Sequence, residues 1–439
     1  MVLILFVVAQ SYLMLLAIKS QKWDLQLQEF MASYSGVTVA LRLPKATIAY
    51  AISITGCDVA KDSLSTRSLI DGATTLKHSI HLNSFHNAPH SDSKYSYQMY
   101  AFVHPDAVPC SQPFWPHLER AHYKILVRDT PFNISDLQSE FLRTHMNQTG
   151  CCGEKEFLKI YAYTLTDHPI AVHLDVDTLI LQPLDELFDS MLEIIDEGNS
   201  EKEDYRMLRD DLQIMNDTFL PLPDQPIQAF FTRDYGMVHP GKRNVGVQGG
   251  FIIVRPNQTV FEEQIQAILT AEFISGAGWA GRYGGYYGAM QIQGFISYYY
   301  DGLHPDTAVE LDYCIYNNMV NFPSENGVCL GPPFICQDCR NTHISAVKTA
   351  HFTDKCYKPW TCSPNGEVNL CHNLTKEWFR IRRDYESRIS PLVHPNSPEK
   401  QENLTTSPTI CTASYNKQEF LGCCKSGGNR GYIPLATIG

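Results

Sequence analysis

The chain alternates between short, fully apolar runs and stretches with helical spacing. Residues 46–55 (Ala-Thr-Ile-Ala-Tyr-Ala-Ile-Ser-Ile-Thr) form a β-rich run closed by Gly56. Leu69, Ala73, Leu76 and Ile80 recur at helical spacing within residues 66–82 and predict a helix there. Residues 95–103 and 123–127 read as strands, with a helical stretch opening at 118–122 between them. Residues 154–165 read as a helix, 170–174 as a strand, and 250–255 followed by 261–269 as a second strand–helix unit. Such alternation predicts an α/β fold, a mostly parallel sheet with helices on both faces. Ligands of such sheets sit beyond the carboxyl ends of the strands. Residues 196–211 form a charged insert, expected to be a solvated loop or surface helix. Residues 276–288 make a flexible Gly- and Tyr-rich loop, and 391–408 a Pro/Ser-rich linker. The last thirty residues hold three cysteines and no evident core.

The run at residues 1–18 is apolar and uncharged, long enough for a signal-anchor or the core of a signal peptide. Residues 20–44 read as a stem. Six Asn-x-Ser/Thr sequons, at Asn133, Asn147, Asn216, Asn257, Asn373 and Asn403, suit a lumenal surface. The 14 cysteines, an even number clustered late, suit disulfides in an oxidising compartment. Cys336-x-x-Cys339 is the alternative, half of a zinc site, although no second Cys-x-x-Cys follows at ribbon spacing. Over the 439 residues, 35 basic against 47 acidic side chains give a net charge of −12. That balance argues against a nucleic-acid partner, which requires a basic face. A 44% hydrophobic content excludes a wholly disordered chain.

Chemistry concentrates at residues 169–188, where a buried strand emerges into Asp175-Val-Asp177, then a short strand and a helix starting near Pro183. Residues i and i+2 of a strand point to one side, so a turn there lets both carboxylates converge on one cation. Such oxygen ligands suit Mg²⁺ or Mn²⁺, which bridge a diphosphate and offset its charge. Two solvated loop aspartates are the alternative.

Glu154-Lys-Glu-Phe-Leu-Lys159-Ile-Tyr-Ala-Tyr, the Asp-Val-Asp segment and Pro183-Leu-Asp-Glu-Leu-Phe188 together resemble the glycogenin-like family of retaining glycosyltransferases, in its secretory-pathway branch. The likeness spans residues 49–360. It implies a GT-A-type, Rossmann-like nucleotide-sugar domain with a mixed, mostly parallel sheet over residues 45–361. A Cys-rich, partly disordered extension would occupy 362–439. It also implies a UDP-sugar donor, Mn²⁺ (or Mg²⁺), a glycan or glycoprotein acceptor, and a Golgi or endoplasmic reticulum location behind one N-terminal membrane segment, or secretion if that segment is cleaved. Asp175 and Asp177 match the metal-binding Asp-x-Asp. His351, opening His351-Phe-Thr-Asp-Lys-Cys-Tyr-Lys358-Pro-Trp360, matches the histidine of the late His-x-x-Gly-x-x-Lys-Pro-Trp motif, as third ligand; Asp354 replaces its glycine and one residue is added before Lys358. Lys358 would contact the diphosphate. Ser53, Ile54 and Thr55 match the strand end that cradles uracil and ribose, and Lys159 a lysine near the donor. Val247-Gln248-Gly249-Gly250 resembles the strand lining the acceptor side, its glycines admitting a sugar to the backbone. In Met290-Gln-Ile292-Gln293-Gly294 an isoleucine stands where the family carries Asp, leaving Gln293 to hold the sugar; Asp234 is a further carboxylate candidate. Trp279, Tyr283, Tyr286 and Tyr287 would stack on acceptor rings or close over the donor, or equally belong to a structural loop.

Three other readings remain at this level. One is a self-glucosylating priming protein using Tyr298–Tyr300. Another is a non-catalytic nucleotide-sugar or glycan binder, suggested by Ile292. The third is an interaction protein working through its Cys-rich tail.

Overall fold

The structure, a computed structural model, describes residues 43–56, 63–88, 90–148, 150, 152–192, 226–237, 245–322, 324–325, 328–329, 337–353, 356–363, 368–393 and 423–435. The N-terminal apolar run, most of the stem, the charged insert, Asn216, Asn403 and Cys336 lie outside them. None of the described helices is long and apolar enough to cross a membrane.

The apolar runs become β1 (Thr47–Ile54), β2 (Ser96–Val103), β3 (Tyr123–Val127) and β4 (Ala171–Leu174). The helically spaced segment between β1 and β2 is α1 (Ser63–Leu82). After β4 come β5 (Thr178–Ile180), α2 (Asp185–Leu192), β6 (Ala229–Arg233), β7 (Val247–Val254), α3 (Gln258–Thr270), α4 (Ile292–Ser297), β8 (Ala308–Glu310), β9 (Thr349–His351) and α5 (Asn369–Val393). Residues 153–164 are helical, as their spacing predicts, but wound as a 3₁₀ helix.

Seven strands form a mixed sheet in the order β8-β6-β7-β4-β1-β2-β3. All pairs are parallel except those of β7, which runs antiparallel to both β4 and β6. The sheet is therefore α/β and mostly parallel. Ile48, Tyr50, Ile52 and Ile54 pack one face of β1 against Ile70, Ala73, Leu76 and Ile80 of α1. Ala49 and Ala51 face the opposite core, with Phe157, Leu158 and Phe295. Burial on both faces explains why these strands read as continuous apolar runs rather than alternating ones. At ~25 cal/mol per Å² of apolar surface, such two-sided burial is the main force holding the sheet.

Two parts differ from the sequence reading. Residues 273–274 and 278–279 pair as a small hairpin, and Trp279, Tyr283 and Tyr286 are buried, Trp279 completely. Only Tyr287 of these four aromatics is exposed. Trp279 instead fills core between Phe273 and Phe295, and donates its indole N–H to the Ala289 carbonyl at 2.7 Å. The segment after residue 362 also has a core. Trp378, Phe379, Cys423, Cys424 and Tyr432 join Trp360 and Leu179 in one cluster, and α5 packs on α1. Leu370, Leu374, Trp378, Ile381 and Tyr385 of α5 are buried at helical spacing, a period that the sequence reading passed over. Disulfides join Cys314–Cys339, Cys356–Cys371 and Cys362–Cys424. The first removes Cys339 from any zinc site.

Candidate functional site

The site lies at the carboxyl edge of β1 and β4, where β4 ends and the chain turns through Asp175-Val176-Asp177 into β5. The Asp175 carbonyl closes this turn, accepting from the Thr178 amide at 3.1 Å and the Thr178 hydroxyl at 2.7 Å. β9 pairs antiparallel with β5, His351 opposite Thr178, and the Phe352 amide donates to the Asp177 carbonyl at 2.8 Å. A histidine 174 positions downstream thereby faces the paired aspartates. One ligand atom from each of Asp175, Asp177 and His351 lies within 4.8 Å of the others.

His351 is fixed from behind. Asn317 donates its Nδ2 to Thr232 Oγ1 (2.9 Å) and Gln248 Oε1 (3.3 Å), so its Oδ1 is the acceptor for His351 Nδ1 at 3.2 Å. That contact turns Nε2 toward the carboxylates, 3.5 Å from Asp177 Oδ1. Two carboxylates and one imidazole oriented from behind fit a divalent ion with mixed oxygen and nitrogen affinity.

Two lysines hold the carboxylates. Lys159, buried on the 3₁₀ helix, lies 2.9 Å from Asp175 Oδ1, 3.6 Å from Glu156, and donates to the Gly249 carbonyl at 3.0 Å. Lys358 Nζ bonds Asp177 Oδ2. Burial by itself would raise the Asp177 carboxyl, but His351 and Lys358 reverse this and hold it well below the usual carboxylate range. The extra residue before Lys358 thus does not stop the lysine reaching the site.

β7 floors the site. Its pairing with β6 shifts between Phe231 and Arg233, next to Gln248 and the glycines. Gln248 Oε1 accepts from the Gly250 amide at 2.6 Å. Side chains of the site lie where a Cβ would stand on either glycine. A Cβ on Gly250 would lie 2.5 Å from His351 Cε1 and 2.8 Å from Asp175 Oδ2; one on Gly249 would lie 2.7 Å from Ile292 Cγ2 and 3.5 Å from Lys159 Nζ. Ile292 is buried there, and Gln293, also buried, packs against Gly249 and Gly288 with its Nε2 unpartnered. Beside it opens a cavity of about 480 Å³, lined by Tyr286, Tyr287, Met290 and Gln291 among others.

Ser53, Ile54 and Thr55 end β1 at the same edge, and Ser53 Oγ is 2.8 Å from His173 Nε2. His173 is fully buried, its Nδ1 unpartnered, and burial with Lys159 nearby pushes it down to about 3, so it stays neutral. Asp234 lies buried one residue beyond β6, its Oδ1 beside Gly236. Sequence reading missed Asn317 and His173. His173 stands two residues before Asp175 on one strand and was findable from that spacing; Asn317 had no local signal.

No family model matches the chain, and no curated protein does. Solved structures of similar shape exist. The apo WbbM bifunctional glycosyltransferase is 11% identical, with 77% of this chain and 50% of that one covered, at a TM-score of 0.39. Mouse xyloside xylosyltransferase 1, apo form, is 13% identical, covering 70% and 97%, at 0.37. The galactosyltransferase LgtC, in complex with donor and acceptor sugar analogues, is 9% identical, covering 77% and 95%, at 0.35. The chain thus spans half the length of WbbM.

Proposed function

We propose that the protein is a metal-dependent, retaining glycosyltransferase of GT-A type, akin to the glycogenin-like family, moving a sugar from a UDP-sugar to a hydroxyl of a glycan or glycoprotein. The observation that carries this reading is the convergence of Asp175, Asp177 and His351 at the strand edge where an α/β sheet takes its ligand. These three would hold Mn²⁺, the imidazole favouring it over Mg²⁺; bound there, the ion neutralises charge on a leaving diphosphate. Lys358 supplies a second cation beside Asp177 for the same phosphates, and Lys159 aims Asp175. Ser53, Ile54 and Thr55, with neutral His173 behind them, would receive the uracil and ribose. Gln293, whose free amide would donate to a sugar hydroxyl, lies between this edge and the 480 Å³ cavity proposed for the acceptor. A lumenal, Golgi or endoplasmic reticulum setting is supported by the disulfides and by the exposure of Asn133, Asn147, Asn257 and Asn373.

One observation favours the second reading, a non-catalytic binder: the position matching the family's carboxylate is a buried isoleucine packed on Gly249. A panel of nucleotide sugars with and without Mn²⁺, scored by UDP release, separates the two. Mn²⁺-dependent release that falls more than about a hundredfold in a folded Asp177→Asn variant is expected. Binding of UDP without turnover would establish the second reading, and undiminished turnover in the variant would remove the metal site.

A further inference from the structure

The segment that brings Lys358 to Asp177 is short, almost without regular structure, and tethered at both ends by cystines. Cys356 pairs with Cys371 on α5, and Cys362 pairs with Cys424, 62 residues on. Both Cys356 and Cys362 are fully buried, whereas the side chain of Lys358 is 45% exposed and Tyr357 beside it is 50% exposed. An ion pair with so exposed a lysine is a weak tether and does not hold its own backbone in place. The fixed points are instead the two cystines and Trp360, whose ring packs over Gly72 of α1, at 2.9 Å from where a Cβ would stand, and lies 5.9 Å from that of Trp378.

The far end of the tether is anchored to the same helix. Asp71, the neighbour of Gly72, accepts from Tyr432 Oη at 2.8 Å and the Leu435 amide at 2.9 Å, and faces the buried Arg382. The carbonyl of Val176, between the two aspartates, also lies against Gly72. The lysine loop and the aspartate turn are thus both positioned from one turn of α1.

We propose that the pairs Cys356–Cys371 and Cys362–Cys424 form a positioning clamp that sets Lys358 at the diphosphate subsite, so that the Cys-rich C-terminal part completes the donor site. This rests on the glycosyltransferase reading. The cysteines touch no ligand; they act through Lys358.

The test is a double-mutant cycle on UDP affinity by calorimetry, run in EDTA and again with Mn²⁺. Lys358→Met is expected to weaken UDP about tenfold, the worth of one charge-assisted bond. Cys362→Ser/Cys424→Ser should weaken it similarly, and the triple variant no further than Lys358→Met alone. Cys356→Ser/Cys371→Ser, which opens the smaller 15-residue loop, should behave the same way and replaces the first pair if that variant misfolds. Wild-type affinity in the serine variants, or losses that multiply in the triple variant, would overturn the clamp while leaving the site intact. Unfolding of both serine pairs would make them plain structural staples and overturn it too. Absence of UDP binding in the wild-type protein would overturn the glycosyltransferase reading beneath it.

Discussion

Adding one methyl group at Gly250 perturbs the heart of the site without changing any charge. In Gly250→Ala the new Cβ would stand 2.5 Å from His351 Cε1, 2.8 Å from Asp175 Oδ2 and 3.0 Å from Gln248 Oε1. Carbon contacts settle at roughly 3.5–4.0 Å, so the imidazole must retreat by about 1 Å. It has little room, since Asn317 holds Nδ1 and the residue is 3% exposed on β9. Asp175 is likewise held by Lys159 and by its amide on the Gly250 carbonyl at 3.0 Å. Overpacking of this kind costs about 1–3 kcal/mol, which lowers the melting temperature by a few degrees. A displacement of about 1 Å between catalytic groups costs on the order of a hundredfold in turnover. Calorimetric Mn²⁺ titration, a thermal melt and UDP release measure the three consequences separately. Gly56→Ala is the control for the melt, with nothing within 4 Å of its Cβ. If Gly250→Ala kept both wild-type Mn²⁺ affinity and wild-type melting, the packing of His351 and Asp175 over β7 would be refuted.

Acid should loosen the packing of His81 on α1 against Tyr97 of β2 and His86. Burial, then Lys77, His78, His86 and Arg388 nearby, pushes His81 down to about 4, below the ordinary ~6.5 of an unfolded histidine. The unfolded chain therefore binds the proton first as pH falls, and this contribution to stability is present above about 6.5 and lost towards 4. Urea midpoints at pH 7 and 5 should show a smaller loss for His81→Gln than for wild type; equal losses would refute it. Asp71→Ala takes one of two buried carboxylates from Arg382, leaving Glu386 at 3.9 Å, and removes the acceptor of Tyr432 and the Leu435 amide, so it should cost about 3–5 kcal/mol by urea denaturation. A loss below about 1 kcal/mol would show the anchor to be dispensable.

The sheet and the paired aspartates were readable from local order. Strands buried on both faces leave unbroken apolar runs, α1 leaves a 3.6-residue period, and Asp175 and Asp177 leave a spacing of two at a strand end. The antiparallel sense of β7 left no such trace, because pairing direction depends on partners far away in the chain. The buried fate of Trp279, Tyr283 and Tyr286 also escaped, since a glycine-rich aromatic stretch has the same composition in a hairpin core as in an open loop. Local patterning, then, determined β1 to β4, α1 and the carboxylates Asp175 and Asp177, because those signals lie within a turn or two of helix or strand. Tertiary structure alone decided that Asn317 orients His351, that Gly250 makes room for it, and that residues beyond 362 hold the loop bearing Lys358. Each of these is a contact between segments tens to hundreds of residues apart, for which local spacing holds no record.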